Sequence, residues 1–158
     1  MQDQGVSLLV LSEDSDPDRM AKLYEMAIAA EQDIPTTIPM RKETYDEWEQ
    51  LTFGNPGIRR DRFWIAREAD AIVGLSVLTF PQRRGLPWTD FTATSPAVRG
   101  RGIARALKYQ TMAQAIELGF ERVRTSNDSD NAPILRINRE MGYQLIRPVI
   151  ELHRELSR

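Results

Sequence analysis

The chain has 158 residues, 41% of them apolar and 28% charged, which predicts one globular domain over residues 1–158 with a single filled core and excludes a fibre or a disordered tail. Lys and Arg number 21 against 23 Asp and Glu, a net charge of −2, so no whole-molecule field draws the chain to nucleic acid or to an anionic membrane, and neither is an expected partner. Cysteine is absent and the single histidine is His153, which removes disulfides, thiolate metal sites and acyl-cysteine intermediates, so no metal is expected. No apolar run approaches the roughly 20 residues of a membrane span, and the polar start Gln2-Asp3-Gln4 does not read as a signal peptide, so a cytoplasmic location is expected.

Val6 to Leu11 is β-branched and leucine-rich between Gly5 and an acidic cluster, and reads as a strand. Asp16-Pro17 opens a helix carrying Met20, Leu23, Tyr24, Ala27 and Ile28 at helical spacing, which ends before Pro35. A loop over Asp33 to Arg41 leads to a second, more polar helix over Lys42 to Leu51, stopped by Gly54-Asn55-Pro56-Gly57. Phe63 to Arg67 and Ala71 to Phe80, three residues apart, predict an antiparallel hairpin. After a Pro/Gly-rich loop, Trp88 to Thr94 reads as a strand with Trp88, Asp90, Thr92 and Thr94 on one face and Thr89, Phe91 and Ala93 on the other.

Arg101 to Leu118 is the strongest helix, with Ile103, Ala104, Leu107, Thr111, Ala115 and Leu118 in one core-facing stripe. Gly119 stops it, Arg122 to Ser126 makes a strand, and Asn131-Ala132-Pro133 starts a short helix that Gly142 ends. Tyr143 to Ile146 and Val149 to Leu156 are expected as closing strands, the second carrying His153. The order predicts an α/β (α+β) fold in which helices cover a mixed sheet.

The segment Ser95-Pro96-Ala97-Val98-Arg99-Gly100-Arg101-Gly102-Ile103-Ala104 joins a strand to the best helix through two glycines. The first N–H groups of a helix have no intrahelical partner and its dipole favours an anion there, so the turn has the outline of a phosphate site. It matches neither the Walker loop nor the dinucleotide fingerprint, since Arg105 stands where the latter needs a third glycine. Arg99, Arg101, Arg105 and Lys108 add local positive charge, the last three at i, i+4, i+7 on one narrow strip. Solvated cations beside a simple turn are the plainer reading of the same residues.

Arg99-x-x-Gly102-x-Ala104 resembles the Arg/Gln-x-x-Gly-x-Gly/Ala signature of the GNAT (Gcn5-related) N-acetyltransferases. The run Asn131 to Tyr143 resembles that family's second cofactor segment, and the likeness covers roughly residues 60–146. From Asp90 to Tyr143 it is most similar to the C-terminal halves of tandem members, the group that includes mycothiol synthase. The resemblance implies a mostly antiparallel central sheet of about seven strands with about four helices. It also implies acetyl-CoA as co-substrate and transfer to the primary amine of a small molecule or peptide. The backbone of Arg99, Gly100, Arg101, Gly102, Ile103 and Ala104 would take the pyrophosphate, Thr92, Ala93 and Thr94 the pantetheine arm, and Asn131 and Asn138 would also face the cofactor. A homodimer is possible. One departure is Asn138, which stands where many members carry a tyrosine thought to protonate the leaving thiolate; water, another tyrosine such as Tyr143, or no general acid would serve instead.

An amine acceptor is mostly protonated at neutral pH, so a carboxylate near the thioester is needed, directly or through water. Asp90 is the candidate, on the face predicted to carry Thr92 and Thr94; a strand-edge aspartate without a chemical role is the alternative. Without cysteine, the acetyl group would pass directly in a ternary complex. Trp48, Trp64 and Trp88 read as core, and Glu31 and Asp33 as solvated unless they attract a cationic acceptor. The rival class is a CoA-binding regulatory domain without catalysis.

Overall fold

In a computed structural model the described residues are 5–35, 41–148 and 154. Five strands form one sheet in the order β1-β2-β3-β4-β5: β1 Val6–Val10, β2 Phe63–Glu68, β3 Ala71–Thr79, β4 Trp88–Thr94 and β5 Arg124–Thr125. All neighbours are antiparallel except β4 and β5. Four helices cover it: α1 Arg19–Glu31, α2 Tyr45–Phe53, α3 Ile103–Glu117 and α4 Ala132–Glu140.

The apolar period of each element decides which face it covers. Leu23, Met26 and Ala27 of α1 and Trp48 of α2 pack on Phe63, Ile65, Leu75 and Val77 on one side of the sheet. Ile103 and Leu107 of α3 meet Val6, Ala66 and Val73 on the other side, where Ala115 reaches Leu78 and Phe80. The result is a three-layer α/β arrangement with the sheet buried between α1/α2 and α3.

Several sequence expectations shift. The first helix begins at Arg19 rather than at Pro17: Pro17 and Asp18 form a turn closed by the Arg19 N–H on the Asp16 carbonyl, while the Asp16 carboxylate accepts from the Asp18 N–H, Lys22 and Arg67. The second helix runs from Tyr45 to Phe53, fixed by a capping box in which Thr44 and Glu47 satisfy each other's backbone N–H. About seven strands were expected, and the described residues hold five. Tyr143–Ile146 carries no strand, and Leu145 and Ile146 are exposed. Most of the expected partner, Val149 to Leu156, including His153, lies outside the described residues. The strand over Arg122 to Ser126 contracts to Arg124–Thr125, the two residues that pair with β4.

The predicted faces of β4 also need correction. Val77 pairs with Phe91 and Leu78 with Thr89, so Asp90 is an extra residue without a partner on β3, a β-bulge. Paired residues share a face, and Val77 and Leu78 lie on opposite faces, so Thr89 and Phe91 do too. Thr92 pairs with Ser76 on the α3 side, where their hydroxyls lie 2.8 Å apart. Asp90 does not share that face, because the bulge resets the alternation.

Candidate active site

The turn from β4 to α3 is built by two glycines in left-handed conformation, Gly100 at φ 78° and Gly102 at φ 80°. Gly102 is the N-cap of α3, and no side chain caps the helix, so the N–H groups of its first turn face outward unclaimed by a cap. A Cβ placed on either glycine would meet no atom within 4 Å. The free space over this backbone is what a phosphate needs for close approach. Ile103 is buried and anchors the turn to the core, while Ala104 is only partly covered.

The basic residues around the loop are differently employed from the expected strip. Arg99 pairs with Asp33, Arg101 with Glu68 at 2.8 Å and Arg105 with Glu140 at 3.0 Å. Arg101 precedes the helix, and Lys108 is not a surface cation at all. It is 1% exposed and its Nζ lies 4.9 Å from the Tyr143 ring centroid. On a helical wheel Lys108 falls about 20° from Ala115, at the margin of the core stripe. That angle is the sequence signal for its burial, and its charge hid it.

Beyond the turn, β4 and β5 pair only through Trp88 with Arg124 and Thr89 with Thr125. From Asp90 to Thr94, β4 has no strand partner on that edge among the described residues. Thr92, Ala93 and Thr94 lie along it, all partly covered. In α4, Asn138 Nδ2 donates to Asn127 Oδ1 at 2.7 Å. Asn138 Oδ1 is buried with no hydrogen-bond partner. Asn131 is the N-cap of α4 and its side chain caps nothing.

On the opposite face of the sheet, between α1, α2 and β4, lies a pocket of about 300 Å³. Its charged lining consists of Glu31, Glu43 and Asp90, with Trp48, Phe63 and Phe91 among its apolar walls. Asp90 Oδ2 accepts from Thr79 Oγ1 at 2.9 Å, which holds the bulged residue toward this side. Burial, reinforced by the nearby Glu43 carboxylate, raises Glu31 above the ordinary glutamate value. Three carboxylates, with no cation in the lining among the described residues, suit a positively charged guest. Asp90 and Glu31 carried sequence signals, whereas Glu43 sits in a generic polar stretch and had none. Asp33, the other acid considered for the acceptor, is tied to Arg99 instead.

Among the described residues no group of three or more His, Cys, Asp or Glu side chains could hold a metal ion, and no helix is long and apolar enough to cross a membrane.

Residues 20–143 match the model of the Acetyltransferase (GNAT) family, and the chain belongs to that family. No curated protein matches the sequence. Among solved structures, the chain is similar to a GCN5-related N-acetyltransferase from Sphaerobacter thermophilus, with a TM-score of 0.70 and 21% identity over 94% of this chain and 47% of that one. It is similar to the ribosomal-protein-S18-alanine N-acetyltransferase of Escherichia coli, with a TM-score of 0.63 and 12% identity over 87% of this chain and 76% of that one. It also resembles AAC(6')-Iy in complex with the bisubstrate analogue CoA-S-monomethyl-acetylneamine, with a TM-score of 0.66 and 9% identity over 96% of this chain and 99% of that one. These likenesses establish the fold.

Proposed function

We propose that the protein is an acetyl-CoA-dependent N-acetyltransferase that passes the acetyl group directly to the primary amine of a cationic small molecule or peptide. The observation that carries this reading is the Asp90 bulge, which joins two half-sites lying on opposite faces of one strand. Thr92 and the α3 turn look to one side, and the acidic pocket lies on the other.

In this reading the backbone from Arg99 to Ala104 holds the pyrophosphate and the edge of Thr92, Ala93 and Thr94 guides the pantetheine arm. Asn138 Oδ1, buried without a donor, supplies an acceptor for an amide N–H of that arm. Asn131 flanks it from the start of α4. Glu31 and Glu43 attract the cationic acceptor and Asp90 takes a proton from its nitrogen, directly or through one water. Asp90 is fixed for that role by Thr79, so it need not reorganise when the amine arrives.

Supporting context is coarser. The family contributes acetyl transfer as the expected chemistry, and one structural neighbour carries a CoA-containing bisubstrate analogue. A single domain over 1–158, a cytoplasmic location, a possible homodimer and the likeness to C-terminal halves of tandem members belong to the same proposal.

The test is transfer from acetyl-CoA over a panel of diamines, polyamines, aminoglycosides, amino acids and basic peptides, read by the mass of the acceptor. Transfer favouring dications over neutral or anionic amines is expected. Tight CoA binding with no transfer to any member would establish the regulatory CoA-binding domain instead.

A further inference from the structure

The turn that closes α1 serves two neighbours. Glu31 and Ile34 line the acidic pocket, while Asp33 between them pairs with Arg99, the residue before Gly100 in the glycine turn. Two backbone bonds hold the segment: the Asp33 N–H donates to the Ala30 carbonyl at 3.2 Å and the Ile34 N–H to the Glu31 carbonyl at 3.1 Å. One ion pair therefore links the rim of the proposed acceptor pocket to the backbone proposed to hold the pyrophosphate.

The charge balance at this end of α1 gives the pair its consequence. A helix C-terminus carries partial negative charge, and here the last turn holds no basic residue while Glu31 and Asp33 add two carboxylates. Arg99 is the cation that the fold brings to Asp33. The two side chains are 49% and 46% exposed, so their pair is open to exchange with incoming ions. Val98, 3% exposed, anchors the start of the glycine turn, so the Arg99 side chain can move while the backbone beside it stays in place.

We propose that Asp33 is a positioning residue that couples the two half-sites: the pyrophosphate of coenzyme A draws Arg99 off Asp33, and the bared carboxylate strengthens the hold of the pocket on a cationic acceptor. This rests on the acetyl-transfer reading above and adds to it a link between its two ligands. Each ligand assists the other by the same factor, because coupling between two binding equilibria is reciprocal. An exposed ion pair sets the scale, so the link contributes about two- to fivefold in affinity and fades as salt screens the charges. A neutral guest in the same pocket gains nothing from the bared carboxylate.

The experiment titrates hexamethylenediamine, with neutral hexanediol as control, into the protein with and without saturating CoA, which carries no acetyl group to transfer. Wild type, Asp33→Asn, Arg99→Gln and Glu140→Gln are compared. The direct pull of the CoA charges on the diamine is common to all four, so the comparison isolates the ion pair. Glu140→Gln releases Arg105 at α4 and should show the full wild-type gain in diamine affinity when CoA is added. In Asp33→Asn and Arg99→Gln that gain should be about two- to fivefold smaller, although the first binds CoA more tightly than wild type and the second less tightly. A merely structural role would not give opposite effects on CoA together with one shared loss of coupling.

A full gain in Asp33→Asn, or an equal gain for hexanediol in wild type, overturns the coupling while leaving acetyl transfer intact, which the acceptor panel reads separately. A wild type that binds no diamine with or without CoA overturns the cationic-acceptor reading and this one together.

Discussion

Thr89 and Phe91 stand two residues apart on β4 and face opposite sides of the sheet, because Asp90 between them has no partner on β3. In a regular strand they would share a face. In the proposed reading, that single extra residue lets one strand face the cofactor on the α3 side and the acceptor in the acidic pocket on the α1/α2 side.

The glycine turn proposed to hold the pyrophosphate carries a second relationship, with consequences for affinity. Arg99 and Arg105 are already paired, to Asp33 and Glu140, so an incoming polyanion must compete with those carboxylates. Asp33→Asn and Glu140→Gln should each tighten CoA binding by about two- to fivefold at low salt, the range of an exposed ion pair, with the gain shrinking at high salt. Calorimetric titration at two ionic strengths checks this, and weaker binding in both variants would show that these acids serve the cofactor.

Gly102 tests the turn itself. Its left-handed backbone is tolerated by Asn but strained for Val, and added atoms meet nothing in the protein alone. Gly102→Asn should keep stability within about 1 kcal/mol of wild type and lose CoA affinity, while Gly102→Val should lose affinity and about 1–3 kcal/mol as well. Unfolding curves read beside CoA titrations separate the two effects, and normal CoA binding by the Asn variant would remove phosphate from this loop.

Which features the sequence disclosed follows from how far apart their causes lie. The hairpin of β2 and β3, the long helix α3 and the glycine turn before it are local: apolar period, turn residues and φ requirements sit within a few positions. The bulge at Asp90 depends on how β4 meets β3, and no residue in Trp88-Thr89-Asp90-Phe91 announces it. Lys108 misled for another reason, since a charge on a stripe margin suggests solvent while its burial depends on Tyr143, which comes 35 residues later. The pocket unites Glu31, Glu43 and Asp90 from three separate elements, and only the packing of α1 and α2 on the sheet brings them together.

Glu31 links the pocket to stability. Its proton is held more tightly in the folded chain than in the unfolded one, so between those two values the unfolded state carries fewer protons and stability falls as pH rises. Glu31→Gln should therefore melt higher than wild type at pH 7, with the gain disappearing below about pH 4, where the carboxyl is protonated in both states. The same variant should bind a dicationic acceptor more weakly. A melting temperature lowered at pH 7 would show that Glu31 is structurally paired.

Arg67 fastens β2 to the segment before α1 by donating to Asp14 Oδ2 at 2.8 Å and to Asp16. Arg67→Met leaves the little-exposed Asp14 carboxylate without its cation while Asp16 keeps Lys22, and should lower stability at pH 7. Lys22 and Arg67 hold the Asp16 carboxyl far below its usual range, so its contribution is present above about pH 4 and fades as the medium is acidified. Urea unfolding followed from pH 7 down to about pH 2 measures both effects; an Arg67→Met loss that does not shrink as pH falls below about 4 toward 2 would contradict the charge-based account.

If the bulge makes Asp90 the base for the acceptor amine, the rate of acetyl transfer by Asp90→Asn from about pH 6 to 9.5 shows it. The variant should lose about 10²–10⁴ in rate near neutrality with CoA affinity intact, and the deficit should shrink at high pH as the acceptor becomes neutral without help. A rate within about threefold of wild type across the whole range would contradict it and return the proton to solvent or to Glu31.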